Sequence, residues 1–315
     1  MRSVSSSPTT AVPAALERVA GRCRTDPALA ATCCLLAAVD GVEVAAHDLH
    51  GHGLDNPAET IASVTKSLLS SLVGHALDQG ALELGTTLGE LLGGRVPGPR
   101  RSATVHQLLT MTSGAAGGLL EIDAVMELPG GWVEELLAAE QLDEPGTRFR
   151  YDNGTWHLLA AGLQQAVGGD LLGWARSGPL AAVGAADVEW PVDPDGVPYG
   201  FGDARLSPRA LLALGEAWRT GTGVPGWYRE RAWRAWTPGG PPEHRGYGYG
   251  WWVGADAGEA TRLAAGWAGQ AVLVAPGPGL CVVATGCPSR WREGSTRPVL
   301  AELAEVVAAS RDGRS

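Results

Sequence analysis

Ser63-Val-Thr-Lys66 places a hydroxyl and an amine three positions apart. On a helix that spacing puts both side chains on one face, about 5–6 Å apart at Cβ. A serine hydroxyl becomes a nucleophile when a neighbour takes its proton, and an amine does this once desolvation or nearby positive charge lowers its pKa toward neutrality. A guanidinium cannot, because it stays protonated. The contrast matters because Lys66 is the only lysine in a chain whose other basic side chains, histidine apart, are arginine. A surface lysine that happens to follow a serine would show the same spacing, so the pair carries weight only with partners.

Three stretches offer them. Leu68, Leu69, Leu72, Val73, Ala76 and Leu77 give the segment after Ser63 an apolar face, with Gly80 as a C-terminal stop, so Ser63 opens a buried helix. There, backbone N–H groups and the helix dipole favour a developing oxyanion. Glu144-Pro-Gly-Thr-Arg-Phe-Arg-Tyr-Asp-Asn-Gly154 is a turn-rich loop that supplies a phenol, Tyr151, and an amide, Asn153, suited to a proton relay and to binding a polar substrate group. Ala265-Gly-Trp-Ala-Gly-Gln270 leads into an apolar strand; Gly269 permits close backbone approach, and the N–H of Gln270 is a candidate second oxyanion donor. Taken singly, ordinary turn chemistry is the plainer reading of the last two.

The elements that must position these groups follow from periodicity. Two short apolar runs around Asp40-Gly41 predict a hairpin within residues 31–48. Tyr247 to Val253, Thr261 to Trp267, Gln270 to Ala275 and Leu280 to Thr285 read as antiparallel strands, with the turn Pro276-Gly-Pro-Gly279 before the last. Between these ends, Ser67 to Ala81, Thr104 to Thr112, Trp132 to Glu140, Thr155 to Val167 and Pro208 to Arg219 show helical spacing. Helices near Pro13 to Arg22 and Pro298 to Ala309 would cover one face of the sheet. The expected fold class is α+β: a flexible tail over 1–12, a sheet domain from 13–66 and 245–312, a mainly helical region over 67–244, and a cleft between the two.

Composition narrows the partners. A chain of 315 residues, 45% hydrophobic, can bury a large core. A net charge of -10 without an arginine cluster argues against nucleic acid and against an anionic membrane surface. The first ten residues read as a polar tail without an export-type apolar run, and no run long enough to span a bilayer follows, which suggests the cytoplasm. Five cysteines, with Cys33 and Cys34 adjacent, predict free buried thiols. His47, His50 and His52 lie together beside Asp48 but lack a second ligand cluster of metal-site spacing, so neither a metal nor another cofactor is expected. His157 and Asp193-Pro-Asp-Gly196 read as structural. Of twelve tryptophans, Trp251, Trp252 and Trp267 precede or sit on the strands read above, and Trp252 and Trp267 are candidates for an apolar substrate pocket.

In order, Ser63-Val-Thr-Lys66, Tyr151-Asp-Asn153 and Gly266-Trp-Ala-Gly-Gln270 resemble the three motifs of the serine beta-lactamase and penicillin-binding-protein superfamily, in its class C-like esterase and peptidase branch. His106-Gln-Leu-Leu-Thr-Met-Thr-Ser-Gly114, Glu144-Pro-Gly-Thr147 and Tyr247-Gly-Tyr-Gly-Trp-Trp-Val253 resemble further landmarks, so the likeness covers about residues 30 to 310. It implies a sheet flanked by helices with an inserted helical region. It also implies Ser63 as acylated nucleophile, Lys66 as its base, Tyr151 as proton shuttle, Asn153 as substrate ligand, and the N–H groups of Ser63 and Gln270 as oxyanion hole. Where the third motif usually begins with Lys or His, this chain has Trp267, and where a related sequence commonly has His it has Met111, read as a packing change. Without the cationic hook, a neutral or apolar small-molecule ester or amide is the expected substrate rather than a beta-lactam or peptidoglycan. The same acyl-enzyme could serve an acyltransferase of specialised metabolism, and a catalytically silent binding member is the remaining alternative. A monomer or small homo-oligomer is expected.

Overall fold

The computed structural model describes residues 8–116, 119–291 and 298–312. The described residues form eight strands: β1 (Thr32–Val39), β2 (Val42–Asp48), β3 (Thr237–Gly240), β4 (Arg245–Tyr247), β5 (Trp252–Asp256), β6 (Glu259–Ala265), β7 (Ala271–Ala275) and β8 (Leu280–Gly286). They form one antiparallel sheet in the order β2-β1-β8-β7-β6-β5-β4-β3. The helices are α1 (Pro8–Thr25), α2 (Val64–Asp78), α3 (Leu88–Leu92), α4 (Val105–Leu109), α5 (Leu119–Met126), α6 (Trp132–Ala138), α7 (Asn153–Ala166), α8 (Leu171–Arg176), α9 (Pro179–Ala182), α10 (Pro208–Thr220), α11 (Gly226–Ala232) and α12 (Pro298–Asp312). Helices α2 to α11 are inserted between β2 and β3, as the α+β reading requires.

The hairpin turn forms where expected: Asp40 and Gly41 both take positive φ, 50° and 86°, the geometry that favours Asp-Gly in two-residue turns. Beyond it β1 pairs with β8, so the two ends of the chain close one core. Strands β1, β7 and β8 are buried along their whole length, which means both faces at the centre of the sheet are covered. Helices α1 and α12 pack on each other and on one face, through Val12, Leu16, Val19, Leu303, Val306 and Val307. Burying side chains of this kind contributes roughly 1.5–3 kcal/mol each. The half-exposed pairs of Arg18 and Arg22 with Glu302 and Glu305 add little beside that. Helix α10 lies on the other face, close enough that a Cβ on Gly215 would meet the Cys281 sulfur and Val272.

Four expectations change. Helix α1 starts at Pro8, so the tail predicted through residue 12 is helical from there, with Val12 buried; residues 1–7 lie outside the described residues. The run Tyr247 to Val253 is not one strand. It breaks at Gly248, where the Ala232 carbonyl occupies the place of a Cβ, and at Gly250, whose φ is +74° and whose carbonyl accepts the Ser67 hydroxyl at 2.6 Å. The sheet portion begins at β3 rather than at residue 245, and α10, placed in the helical region by sequence, packs on the sheet. Finally, Cys33 and Cys287 are bonded rather than free, because neighbouring β1 and β8 bring residues 254 positions apart to a Cα separation of 5.9 Å. Cys23, Cys34 and Cys281 are free and buried, as expected of all five. Among the described residues, no helix is long and apolar enough to cross a membrane.

Candidate active site

Ser63 is the N-cap of α2, a position whose hydroxyl ordinarily accepts a backbone N–H of the first turn. Here it makes no such bond; its Oγ instead accepts a hydrogen bond from Lys66 Nζ at 2.9 Å. The same nitrogen donates to Asn153 Oδ1 at 2.7 Å and to the Phe201 carbonyl at 2.6 Å. Lys66 is 2% exposed, so these polar atoms stand in for water around it. The residue before the serine, Ala62, holds a left-handed φ of 46°, which is costly for a side chain with a Cβ. It is fixed there by its N–H bond to Thr60 Oγ1 at 2.8 Å and by the Thr65 hydroxyl, which donates to its carbonyl at 2.7 Å. Strain held in place beside the Ser63 hydroxyl is the pattern of a preorganised site.

Asn153 is buried in the first turn of α7, and Tyr151 lies two residues before it in the loop. Between them, Asp152 is buried and accepts a short hydrogen bond from Thr155 Oγ1. Burial pushes its carboxyl up, against the lowering effect of the Thr155 hydroxyl and the nearby N–H groups. The Tyr151 ring stacks on Trp252, with centroids 5.8 Å apart and planes within 4°, and presents its face to Lys66 Nζ, 5.0 Å from the centroid. Trp252 is thus buried behind Tyr151, wedged against Phe149 and Tyr247, and does not reach the cavity surface.

Ser63, Tyr151 and Asn153 open into one cavity of about 660 Å³. Its other walls come from Ala62, Ile122, Met126, Phe201, Gly202 and an aromatic pair, Trp267 and Trp291, packed edge to face at 6.0 Å. Among the described residues, Asp123 and Asp203 are the charged side chains on this surface. Trp267 is 45% exposed, as a wall residue should be. Gly269 and Gln270 are buried in the turn that carries Trp267 and do not line the cavity. The Gln270 side chain ties that turn together, accepting the Ala268 N–H at 3.0 Å and reaching the Thr60 carbonyl at 3.4 Å, so it links the turn to the strained segment before Ser63.

Sequence reasoning missed the Phe201 carbonyl. A backbone acceptor carries no side-chain signal; the available clue was Gly200-Phe-Gly-Asp203, in which the Trp156 carbonyl fills the space a side chain at 200 would need. The histidine cluster does not converge: His47 lies 3.3 Å from Glu17, His50 lies 3.2 Å from the Ala30 carbonyl, and His52 points to Cys287. His157 pairs with Asp193 at 3.0 Å inside the helical region, where burial raises the Asp193 carboxyl but its hydrogen bonds from His157 and backbone N–H groups outweigh that and hold it low. Met111 is buried with φ 55°, and its carbonyl accepts the Arg150 N–H at 3.0 Å, consistent with a packing role.

Known structures share this arrangement of sheet and inserted helices. The hydrolase EstCE1, described as having promiscuous acyltransferase activity, superposes with a TM-score of 0.76 at 18% identity over 95% of this chain and 99% of its own. An octameric penicillin-binding protein homologue from Pyrococcus abyssi gives 0.73 at 19% identity, over 91% and 76%. A D-stereospecific amidohydrolase from Streptomyces sp. gives 0.68 at 17%, over 88% and 93%. At these identities the likeness concerns the fold. No match is found among curated proteins. The sequence pattern described as Beta-lactamase matches residues 59–286, a span that includes Ser63, Lys66, Tyr151, Asn153 and the Trp267 turn, and the chain therefore belongs to the beta-lactamase family.

Proposed function

We propose that this beta-lactamase-fold protein is a serine hydrolase that forms an acyl-enzyme on Ser63 and cleaves a carboxylic ester or amide. The observation that carries the reading is the 2.9 Å contact between Lys66 Nζ and a Ser63 hydroxyl left free of capping, at the mouth of a cavity. With the amine neutral, its lone pair accepts the Ser63 proton as Oγ bonds to the substrate carbonyl carbon. The tetrahedral oxyanion is assigned to the N–H of Ser63, at the start of α2; the Gln270 N–H, the expected second donor, belongs to the turn buried behind the cavity wall and must face the substrate to take that role. Its collapse expels the alcohol or amine, which takes a proton through Tyr151. Water, or another acceptor in a transfer reaction, then attacks the ester on Ser63, with the same groups working in reverse.

Asn153 is held by Lys66 with its amide at the cavity wall, which supports assigning it to the polar acyl side of the substrate. Trp267 and Trp291 offer apolar surface where a cation would hold a carboxylate, and Asp123 and Asp203 repel one. A substrate without a carboxylate beside the scissile bond fits these walls. The test is intact-protein mass after brief exposure to an activated aryl ester. The expected result is one acyl adduct, mapped to the peptide containing Ser63 and missing from Ser63→Ala. An adduct that persists in Ser63→Ala, or none on the native chain, overturns the proposal.

A further inference from the structure

Away from the acylation cavity, Cys33 on β1, Cys287 after β8 and His52 in the loop after β2 bring two sulfurs and an imidazole nitrogen within 4.8 Å of one another. Among the described residues this is the one such group of three or more. The two cysteines are buried and His52 is exposed, which leaves a path from solvent, and the three residues border a cavity of about 210 Å³. The loop carrying the imidazole is tied down. The Asp48 carboxylate accepts the N–H groups of His50, Gly51, His52 and Gly53 at 2.8–3.2 Å, and the Asn56 amide donates to the His52 carbonyl at 2.7 Å. Burial raises the Asp48 carboxyl, but those four bonds outweigh it and hold the group below its ordinary value, so it stays an acceptor near neutrality.

We propose that the reduced form of this cluster is a metal site for a thiophilic divalent cation, with zinc the best fit. Two thiolates and an imidazole, with a fourth position open to water in the adjoining cavity, are a standard zinc donor set. Tetrahedral bonds of about 2.3 Å to sulfur and 2.0–2.1 Å to nitrogen place the two donors about 3.6 Å apart. His52 Nε2 lies 3.7 Å from Cys287 Sγ. In the structure Cys33 and Cys287 are bonded to each other, so metal binding and the disulfide exclude one another. Conversion requires reduction: a trialkylphosphine and one water convert the disulfide to two thiols and leave as the phosphine oxide. The two thiols then release their protons as the cation binds.

The experiment uses the full chain, reduced with a trialkylphosphine, freed of metal and titrated anaerobically with cobalt(II) as a spectroscopic probe. The expected result is a thiolate-to-cobalt charge-transfer band with tetrahedral ligand-field bands, saturating at one equivalent and displaced by zinc. Cys287→Ser should abolish the band, and His52→Ala should weaken binding by about tenfold or more, on the scale of losses from metal-site support. Cys23→Ser, which removes a buried thiol elsewhere, should leave the titration unchanged. Because His52 is exposed, its truncation leaves the core intact, as circular dichroism would verify. Absence of the band in the reduced native chain overturns the proposal, as does a titration that His52→Ala leaves unaltered. Acylation of Ser63 is read separately and has no bearing on either outcome.

Discussion

Replacing Lys66 by Met keeps the length and apolar stem of the side chain and removes the amine. Two effects follow. On the proposed mechanism, proton removal from Ser63 loses its base, and positioned general bases contribute about 10²–10⁴ in rate, or about 2.7–5.4 kcal/mol of barrier. Asn153 Oδ1 and the Phe201 carbonyl also lose a buried donor, at about 1–3 kcal/mol each, offset in part because no charge need be buried. The assay is stopped-flow release of aryl alcohol under single-turnover conditions, with thermal unfolding measured alongside. Acylation of Lys66→Met should be slower by at least a factor of about 100, with the folded state intact at the assay temperature. Lys66→Ala provides an independent readout: the space left by the stem admits a small primary amine, and added ethylamine should restore part of the rate. If folded Lys66→Met acylates within about tenfold of the native rate, the amine serves only to hold Asn153 and Phe201, and the assignment of Lys66 as base is wrong.

Tyr151→Phe preserves the stack on Trp252 and removes the hydroxyl. Release of an aryl alcohol, a good leaving group, should change little, whereas turnover of an unactivated alkyl ester should fall by about 10²–10⁴, and equal losses on both would argue against a role in leaving-group protonation. Asp256 receives Arg245 in a two-bond fork at 2.7 and 2.8 Å and a further bond from Thr261 at 2.5 Å. Burial pushes its carboxyl up, and these bonds outweigh burial and hold it below the ordinary value. The sign is that of a depressed carboxylate: its stabilisation is complete above the unfolded pKa of about 3.9 and is lost as pH falls through the lower folded value. Asp256→Asn should therefore cost about 2–3 kcal/mol near neutral pH, less than a fully buried pair because Arg245 keeps 20% of its side-chain surface exposed. Denaturant midpoints for the two chains should converge as the pH is taken below about 3.9, and a gap that stays constant would show that packing rather than charge is responsible.

Where local pattern and tertiary packing demand the same thing, the sequence could be read directly. The Asp40-Gly41 turn, β7, β8, α2, α7 and α10 fall close to their expected places, and Ser63, Lys66, Tyr151 and Asn153 come together as their residue types suggested. The failures share a cause: the deciding partner is distant in sequence. Tyr247 to Val253 alternates as a strand would, but close approach of the Ala232 backbone at Gly248 and the left-handed Gly250 interrupt it. After that break Trp252 falls among Phe149, Tyr151 and Tyr247, while Trp251 meets Trp218 and Trp233, so neither tryptophan faces the cavity. The bond between Cys33 and Cys287, and the approach of His52, depend on the pairing of β1 with β8, which no local spacing reveals.

A buried arginine clarifies what is particular about Lys66. Arg100 is also 2% exposed, and its guanidinium donates to the carbonyls of Leu136, Leu137, Ala139 and Glu140 and to Gln141 Oε1. It ties the end of α6 and the residues after it to the body of the helical region, a task that a planar, permanently charged fork performs well. Burial and carbonyl acceptors therefore do not in themselves require an amine in this protein. What separates position 66 is the Ser63 hydroxyl at 2.9 Å, a partner with a proton to give. A guanidinium there could fill the acceptors on Asn153 and Phe201 but could not take that proton. On the proposed role of Lys66, the difference between the two sites is one of proton exchange rather than of charge. It predicts that Lys66→Arg, even where it folds with the acceptors satisfied, is as slow to acylate as Lys66→Met.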